Sequence, residues 1–483
     1  MKIFFRQNLP WFLFSCGLFI LTTVLILVQK KMDSDGTLYA SVAWNMAHNI
    51  GSLWHPVNTP SVFPQFYEHP SFGMFINSLF FRIFGDNFIV DRLYCLFTLI
   101  LSVWATTLIW YQSQTVASKY LWWLLLFCWS AVPLMGNCYG ANVIEDLLVV
   151  FTTFSVWAIL RILFHTSKIG VLSLLFASAC MTGAFFSNGL QAFFPFAVPI
   201  IYQVVFCDRK WKVILTQTFL LILFTTAIIF SVFLYHPAFA FIRQYFFEQI
   251  VATFTHARIG NGNYKGFAHL TGMWFVLHNL LWLFLAIMVV FIILAKKSAK
   301  TFLNIAKENI VNRKVILFLL IGLSASLPIL ASSRQMPHYF LQAFPFYILM
   351  FLEILTPMVA RWISYTNIHA LYYKKILIIG ATFFVLANII VVSLYGRSPP
   401  MLKDVDAISK IVPKNAAISV NSALFRNWNL HAYLYRYYQI DLTQNQGKPF
   451  YLQYKNDQHL LPGYQKVDVH LQKYILYKKS RSF

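Results

Sequence analysis

Charge is scarce in this sequence. Charged residues make up 11% of it, where a soluble domain carries about 25%. Acid is scarcer still, with 16 Asp and Glu against 38 Lys and Arg in 483 residues. So few charges cannot keep a large surface in water, which excludes a soluble globular protein. The six cysteines, Cys16, Cys95, Cys128, Cys138, Cys180 and Cys207, form no Cys-x-x-Cys pair and lie in or beside apolar runs, which argues against a zinc cluster. No small-residue cleavage site follows the first apolar run, whose exit is Gln29-Lys30-Lys31, so the run reads as a retained helix rather than a signal peptide. There is no internal repeat of fixed period. No nucleic-acid motif accompanies the net charge of +22, and the basic residues sit in short loops, as the positive-inside rule and attraction to anionic lipid require.

What the chain has instead is apolar length. Hydrophobic residues make up 59% of it and aromatics 18%. Apolar runs of about 17–25 residues, the length that spans a bilayer, recur from end to end. They predict a polytopic α-helical membrane protein of about eleven spans: 10–29, 92–111, 120–136, 146–164, 169–186, 190–206, 213–235, 270–295, 315–331, 339–358 and 376–395. Lys119, Arg161, Lys168, Arg209, Lys210, Lys212, the run Lys296–Lys314, Arg361, Lys374 and Lys375 fall in alternate loops, which are assigned to the cytoplasm with Lys2 and Arg6. The division is a membrane domain, 1–395, and a more polar tail, 396–483, on the opposite side. The tail reads as a small extracytoplasmic α/β domain. Its strands are expected at Ala417–Val420, Phe450–Tyr454 and Val467–Tyr477, around a helix near Leu430–Tyr438.

The scarce acids are not scattered. Asp33 and Asp35 stand together where the first span emerges. Leu38, Val42, Met46 and Ile50 then recur at helical spacing, which predicts an amphipathic helix lying on the membrane with Asp35 at its N-terminus. A second helical stretch, Phe72–Phe84, ends at Gly85-Asp86. The other loops on this face add Glu68-His69, Glu145-Asp146, His236, Glu248, His256, Arg258, His269, Arg334, His338 and Tyr339. Each has an ordinary reading beside a chemical one. Asp35 and Asp146 serve equally well as helix caps, Glu68 as a solvated acid, His236 and His256 as loop histidines, and Arg258 and Arg334 as anchors on lipid phosphate.

A resemblance separates these readings. Asp35-Gly36-Thr37-Leu38-Tyr39-Ala40 with Ala43, then Trp54, Glu68-His69-Pro70, Phe84-Gly85 and Arg92-Leu93, resembles the N-terminal signature of the GT-C glycosyltransferases. The similarity is closest to the branch holding the aminoarabinose transferases of lipid A and the protein mannosyltransferase-like enzymes. Asp146-Leu147-Leu148 resembles the second acidic motif of that branch, Gly183 to Gly189 its Gly-rich turn, and Arg334 with His338-Tyr339 and Pro345 its late basic-plus-Tyr motif. The chain departs from the pattern at His69 and Asn188, where the branch has Lys, and at Glu248-Gln249, where it has Glu-His.

The resemblance implies a membrane glycosyltransferase that takes a sugar from a polyprenyl-phosphate donor, such as undecaprenyl phosphate, and inverts it onto an extracytoplasmic acceptor. That acceptor is lipid A or another envelope glycan, in a bacterial inner membrane with the site and the tail on the periplasmic face. Asp35 and Asp146 become the implied catalytic acids. Glu68, His69, Arg258, Arg334, His338 and Tyr339 become the substrate and phosphate contacts. The resemblance implies no cofactor with certainty; a divalent metal on Glu68 with His256 or His269 is an option, weakened by Gln249. A flippase for a lipid-linked saccharide and a protein O-glycosyltransferase are the alternatives.

Overall fold

The computed structural model describes residues 2–29, 32–115, 118–165, 169–252, 271–289, 312–332, 335–365, 400–457 and 462–480, with isolated positions between 375 and 390. The first span begins as α1 (Lys2–Phe19), widens through a π turn, Ile20–Val24, and then tightens into a 3₁₀ turn, Leu25–Val28. Two helices of the first outer loop follow, α2 (Ser34–Ala47) and α3 (Phe72–Phe84). The bundle continues as α4 (Ile89–Ser113), α5 (Trp123–Ser130), α6 (Pro133–Ala141), α7 (Glu145–His165), α8 (Val171–Asn188), α9 (Val198–Phe206), α10 (Trp211–Phe233) and α11 (His236–Tyr245). Its last described helices are α12 (Thr271–Val289), α13 (Arg313–Ser326) and α14 (Phe344–Tyr365).

Among the described residues, eight helical stretches are long and apolar enough to cross a membrane, or nine with one bent pair. The pair joins Lys119–Ser130 to Pro133–Ala141 at 76°. Proline dictates the break: Val132 before it is extended, and Pro133 starts the next helix where no N–H is needed. One stretch, Val171–Phe206, is counted as a single helix of 36 residues, about 54 Å if straight and too long for one crossing. Its contacts show two passes. Gly170 lies against Ile162, near the end of α7. Asn188 bonds Glu145, at the start of α7, and Arg209 reaches the Leu163 carbonyl back at the end. The chain therefore turns over at Gly189, whose φ of 80° closes α8. The expected pair 169–186 and 190–206 is present as two crossings; the expected span 376–395 lies largely outside the described residues.

Close packing ties the first span to α6. Gly136 and Gly140, one helical turn apart, let α6 approach so closely that a Cβ on Gly140 would stand 2.0 Å from the Ile26 side chain. Arg92, buried, fixes the same junction by donating to the Gly140 carbonyl at 2.7 Å and to the Gln29 carbonyl at 2.5 Å.

The helix α2 differs from its expectation. Rather than lying on the membrane with one wet face, it is buried from Gly36 to Met46 on almost all sides. The reason is that α3 covers one flank and the tail helix Trp428–Tyr438 another. Tyr39, Val42, Trp44 and Met46 pack with Phe66, Met74, Phe81 and Val90.

The tail holds α15 (Pro400–Ser409), α16 (Ser422–Phe425) and α17 (Trp428–Tyr438) around a five-stranded sheet of order β2-β1-β3-β5-β4. Its strands are β1 (Ala417–Val420), β2 (Asp441–Thr443), β3 (Phe450–Tyr454), β4 (Tyr464–Lys466) and β5 (Tyr474–Lys479). The strand β1 runs parallel to both neighbours, with Ile418 opposite Leu442 and Phe450; β5 runs antiparallel to β3 and β4. Two of the expected strands and the helix are present. Of the third, expected over Val467–Tyr477, only the end is strand, within β5; β4 lies just before the expected range, and β2 has too few residues to show alternation in the sequence. Leu402, Val405, Ile418, Leu430, Leu452 and Leu476 form the separate core of this unit.

Candidate active site

Asp33 takes the N-cap position of α2, and Asp35 lies in its first turn. The Asp33 carboxylate makes no capping bond, and its side chain is exposed; Asp35 is half-buried. The start of α2 is held from below. The Asn142 side chain, in a left-handed turn after α6, donates to the Gly36 carbonyl at 3.0 Å. A Cβ on Gly36 would meet the Ala141 carbonyl oxygen at 1.6 Å. Only glycine admits this approach, so the residue after Asp35 sets how deep its carboxylate sits.

Four segments converge on Tyr39, one turn beyond Asp35. Its buried phenol interacts electrostatically with Asp35, Glu145, Tyr339 and Glu68, and burial first, then these neighbours, raise its pKa well above the ordinary value. It is therefore a neutral hydroxyl among acids. The His69 ring meets the Tyr39 ring edge-on at 5.7 Å, and His338 meets Tyr339 at 4.8 Å. His338 and Tyr339 ride on the 3₁₀ turn Pro337–Ala343, which packs against α7.

Glu145 completes the cluster. It is buried at the first turn of α7, accepts from Asn188 Nδ2 at 3.2 Å, and interacts electrostatically with His338 and Asp35. Its neighbour Asp146 is also buried but turns into the bundle toward Tyr94, Tyr139 and Cys138. Neither Asp146 oxygen meets a hydrogen-bond partner among the described residues. Of the two adjacent acids, then, Glu145 faces Asp35 and Asp146 does not. The sequence placed both at the mouth of the span; only their angular offset on α7, about 100° per residue, separates them.

Glu68 is half-buried and accepts from Gln249 Nε2 at 3.3 Å. Glu248 instead points outward and accepts from Gln244. The Glu68 loop thus meets the π turn Phe246–Val251 through a neutral amide. Among the described residues, no three His, Cys, Asp or Glu side chains gather as a metal-binding group. His256, Arg258, His269 and Arg334 lie outside the described residues. His236 stands exposed at the start of α11.

The arrangement offers a carboxylate half open to solvent, two further carboxylates each paired by an amide, two imidazoles and two phenols at one edge of the membrane bundle. Such a set can take a proton from an incoming nucleophile and donate hydrogen bonds to an anionic leaving group.

No protein-family model matches the sequence, and no curated protein sequence matches it. Solved structures do match. The apo crystal structure of ArnT from Cupriavidus metallidurans aligns over 99% of this chain and 97% of its own, with a TM-score of 0.64 and 11% identity. The same protein bound to undecaprenyl phosphate aligns over 97% of this chain and 98% of its own, with a TM-score of 0.63 and 13% identity. The apo oligosaccharyltransferase of Archaeoglobus fulgidus aligns over 92% of this chain and 64% of its own, with a TM-score of 0.50 and 11% identity. At these identities the likeness is one of fold: from the first span to the last strand, this chain is built like ArnT.

Proposed function

We propose that this protein is a membrane glycosyltransferase that moves a sugar from a polyprenyl-phosphate donor to an acceptor outside the cytoplasm, lipid A or another envelope glycan. The observation that carries the reading is the convergence of Asp35, Glu145, Glu68, Tyr39 and His338 at one membrane edge of the bundle. A fold alone assigns no activity, so the residues must supply the argument. The ArnT of the same fold, crystallised with undecaprenyl phosphate, supports the donor class.

In this reading the polyprenyl tail lies among the spans and its phosphate rests at the cluster. An acceptor hydroxyl attacks the anomeric carbon from the face opposite the phosphate, and the carbon inverts in one displacement. Asp35, held by Gly36 and Asn142, takes the acceptor proton; such base catalysis contributes about 10²–10⁴-fold. An acceptor phosphate is already ionised, and Asp35 then orients it. The leaving phosphate gains negative charge as the bond breaks, and His69, His338 and the Tyr339 hydroxyl are the donors aimed at it. Arg258 and Arg334 remain assigned to the phosphate on sequence grounds. The membrane part, 1–395, carries the chemistry, and the tail, 396–483, braces it. The membrane is the bacterial inner membrane, with the cluster on its periplasmic face.

The test is reconstitution of the purified protein in liposomes with a radiolabelled polyprenyl-phosphate sugar and lipid A. Transfer by the wild type and its loss in Asp35→Asn is the expected result. Label that crosses the bilayer without transfer, or an Asp35→Asn variant as fast as wild type, overturns the assignment.

A further inference from the structure

A second charged feature lies at the other end of the bundle. The helix α4 carries Asp91 and Arg92 in its first turn and ends near Gln112 and Ser113; α7 starts at Glu145 and ends at Arg161 and His165. Twenty residues of helix rise about 30 Å, the thickness of the hydrocarbon core. The far ends of both helices therefore mark the opposite membrane edge. There they enclose a cleft of about 290 Å³, lined by Tyr111, Gln112, Lys119, Trp157, Arg161 and His165 among others. That volume is close to the lower bound of small-molecule sites, about 300 Å³, and far above the space for one ion.

The lining has one sign. Lys119, Arg161 and His165 face the cleft, and no carboxylate lines it among the described residues. An acid on an adjoining span, Glu353, is engaged by Ser113 and Gln114, each at 2.6 Å. Trp157 forms a wall: the Arg161 guanidinium lies 5.7 Å from its ring centroid, and the Gln112 amide donates to its backbone carbonyl at 3.4 Å. Arg161 is thus held at the cleft by its own helix, ready for a planar contact with a phosphate.

The surface leading to the cleft is apolar. Trp104, 53% exposed, meets Phe154 edge-on at 5.5 Å, and Phe154 and Phe176 each meet Trp157 edge-on. A free anion needs no such track, whereas acyl chains do. We propose that this cleft is a binding site for the phosphate headgroup of an anionic membrane lipid, seated from the leaflet opposite the site, with its chains along the Trp104–Phe154 ridge. The proposal is independent of the glycosyl-transfer reading. Basic pockets between spans are suited to this role, and each cation contributes about a fivefold preference for an anionic lipid.

The test uses native mass spectrometry of the detergent-purified protein titrated with phosphatidylglycerol, and separately with phosphatidylcholine of the same chains. The wild type is expected to retain one phosphatidylglycerol tightly. Lys119→Gln with Arg161→Gln should bind it about 25-fold more weakly, with phosphatidylcholine binding equal in the two proteins. Arg161 is exposed, so a single Arg161→Gln with about a fivefold loss serves if the double variant unfolds. Equal phosphatidylglycerol retention by wild type and variant overturns the site. So does phosphatidylcholine held as tightly as phosphatidylglycerol. Displacement of the lipid by an equal concentration of inorganic phosphate overturns the lipid assignment and makes the cleft a free-anion site.

Discussion

The hydroxyl of Tyr433, on the tail helix α17, is bonded twice to the backbone of Met32, accepting from its N–H at 3.1 Å and donating to its carbonyl at 2.9 Å. Met32 immediately precedes the Asp33–Asp35 turn, so the tail grips the chain at the point where the proposed catalytic helix begins. Tyr433→Phe keeps the ring and leaves two buried backbone groups unpaired. Each lost partner costs about 1–3 kcal/mol. Turnover should fall severalfold or more with little change in the donor KM, and the melting temperature should drop. A Tyr433→Phe variant with unchanged turnover would show that the grip does not set the Asp35 position.

A few residues on, Arg436 reaches back to Asp91 at 3.1 Å, with both side chains buried, and its guanidinium lies 4.3 Å from the Phe81 ring centroid. Removing one member of a buried pair leaves an uncompensated charge and costs about 3–5 kcal/mol, whereas replacing both with apolar groups of similar volume is often neutral. Arg436→Met is therefore expected to unfold at a lower temperature than the double variant Arg436→Met with Asp91→Leu. Thermal unfolding in detergent decides this, and equal melting temperatures for the two would refute the pair as the linchpin of tail docking.

Asp33 and Asp35 should separate cleanly. Asp33 is exposed and makes no capping bond, so Asp33→Asn should transfer sugar at close to the wild-type rate. Asp35→Asn should lose about 10²–10⁴-fold in turnover for a hydroxyl acceptor. Initial rates with a labelled donor are the measurement.

The adjacent acids of α7 give the complementary comparison. Glu145 faces Asp35 and His338, so Glu145→Gln should cut transfer by about 10²-fold or more, in line with loss of a charged group from an electrostatic site. Asp146 points into the bundle, and Asp146→Asn should stay within a few-fold of wild type. The reverse order would give the catalytic role to Asp146 rather than Glu145.

The tail should also be acid-sensitive. His431 is 2% exposed, its Nε2–H donates to the Phe425 carbonyl at 2.9 Å, and burial pushes its pKa down to about 4. The unfolded chain, with an ordinary histidine, binds the proton near pH 6.5, so between about pH 6.5 and 4 it holds more protons than the fold. Stability contributed by this neutral imidazole is complete above that window and is lost as pH falls through it, by about 3 kcal/mol in all. The melting temperature of the wild type should fall between pH 7 and 5 more steeply than that of His431→Gln; parallel curves would remove the assignment.

The sequence by itself determined that this chain fills a membrane. With 11% charge and repeated apolar runs, no other solvent satisfies its surface, and helix is the form that satisfies the backbone there. It also marked the acid-bearing face, because ionisable groups kept at the ends of spans are visible against so much apolar sequence. The motif residues Asp35, Tyr39, Glu68 and His338 were legible for that reason. What spacing could not show was which side of a helix a residue occupies once partners cover every side. The helix α2 has the periodicity of a surface helix, yet α3 and α17 enclose it. Arg92 and Trp54 stood in the same signature as Asp35, but one ties Gln29 to Gly140 and the other packs on Phe186 and Phe241. Only the tertiary structure sets Glu145 beside Asp35 and turns Asp146 into the bundle, and only it brings α17, some 400 residues away in the chain, to Met32. Such long-range contacts arise from complementary surfaces, which leave no period in the sequence to read.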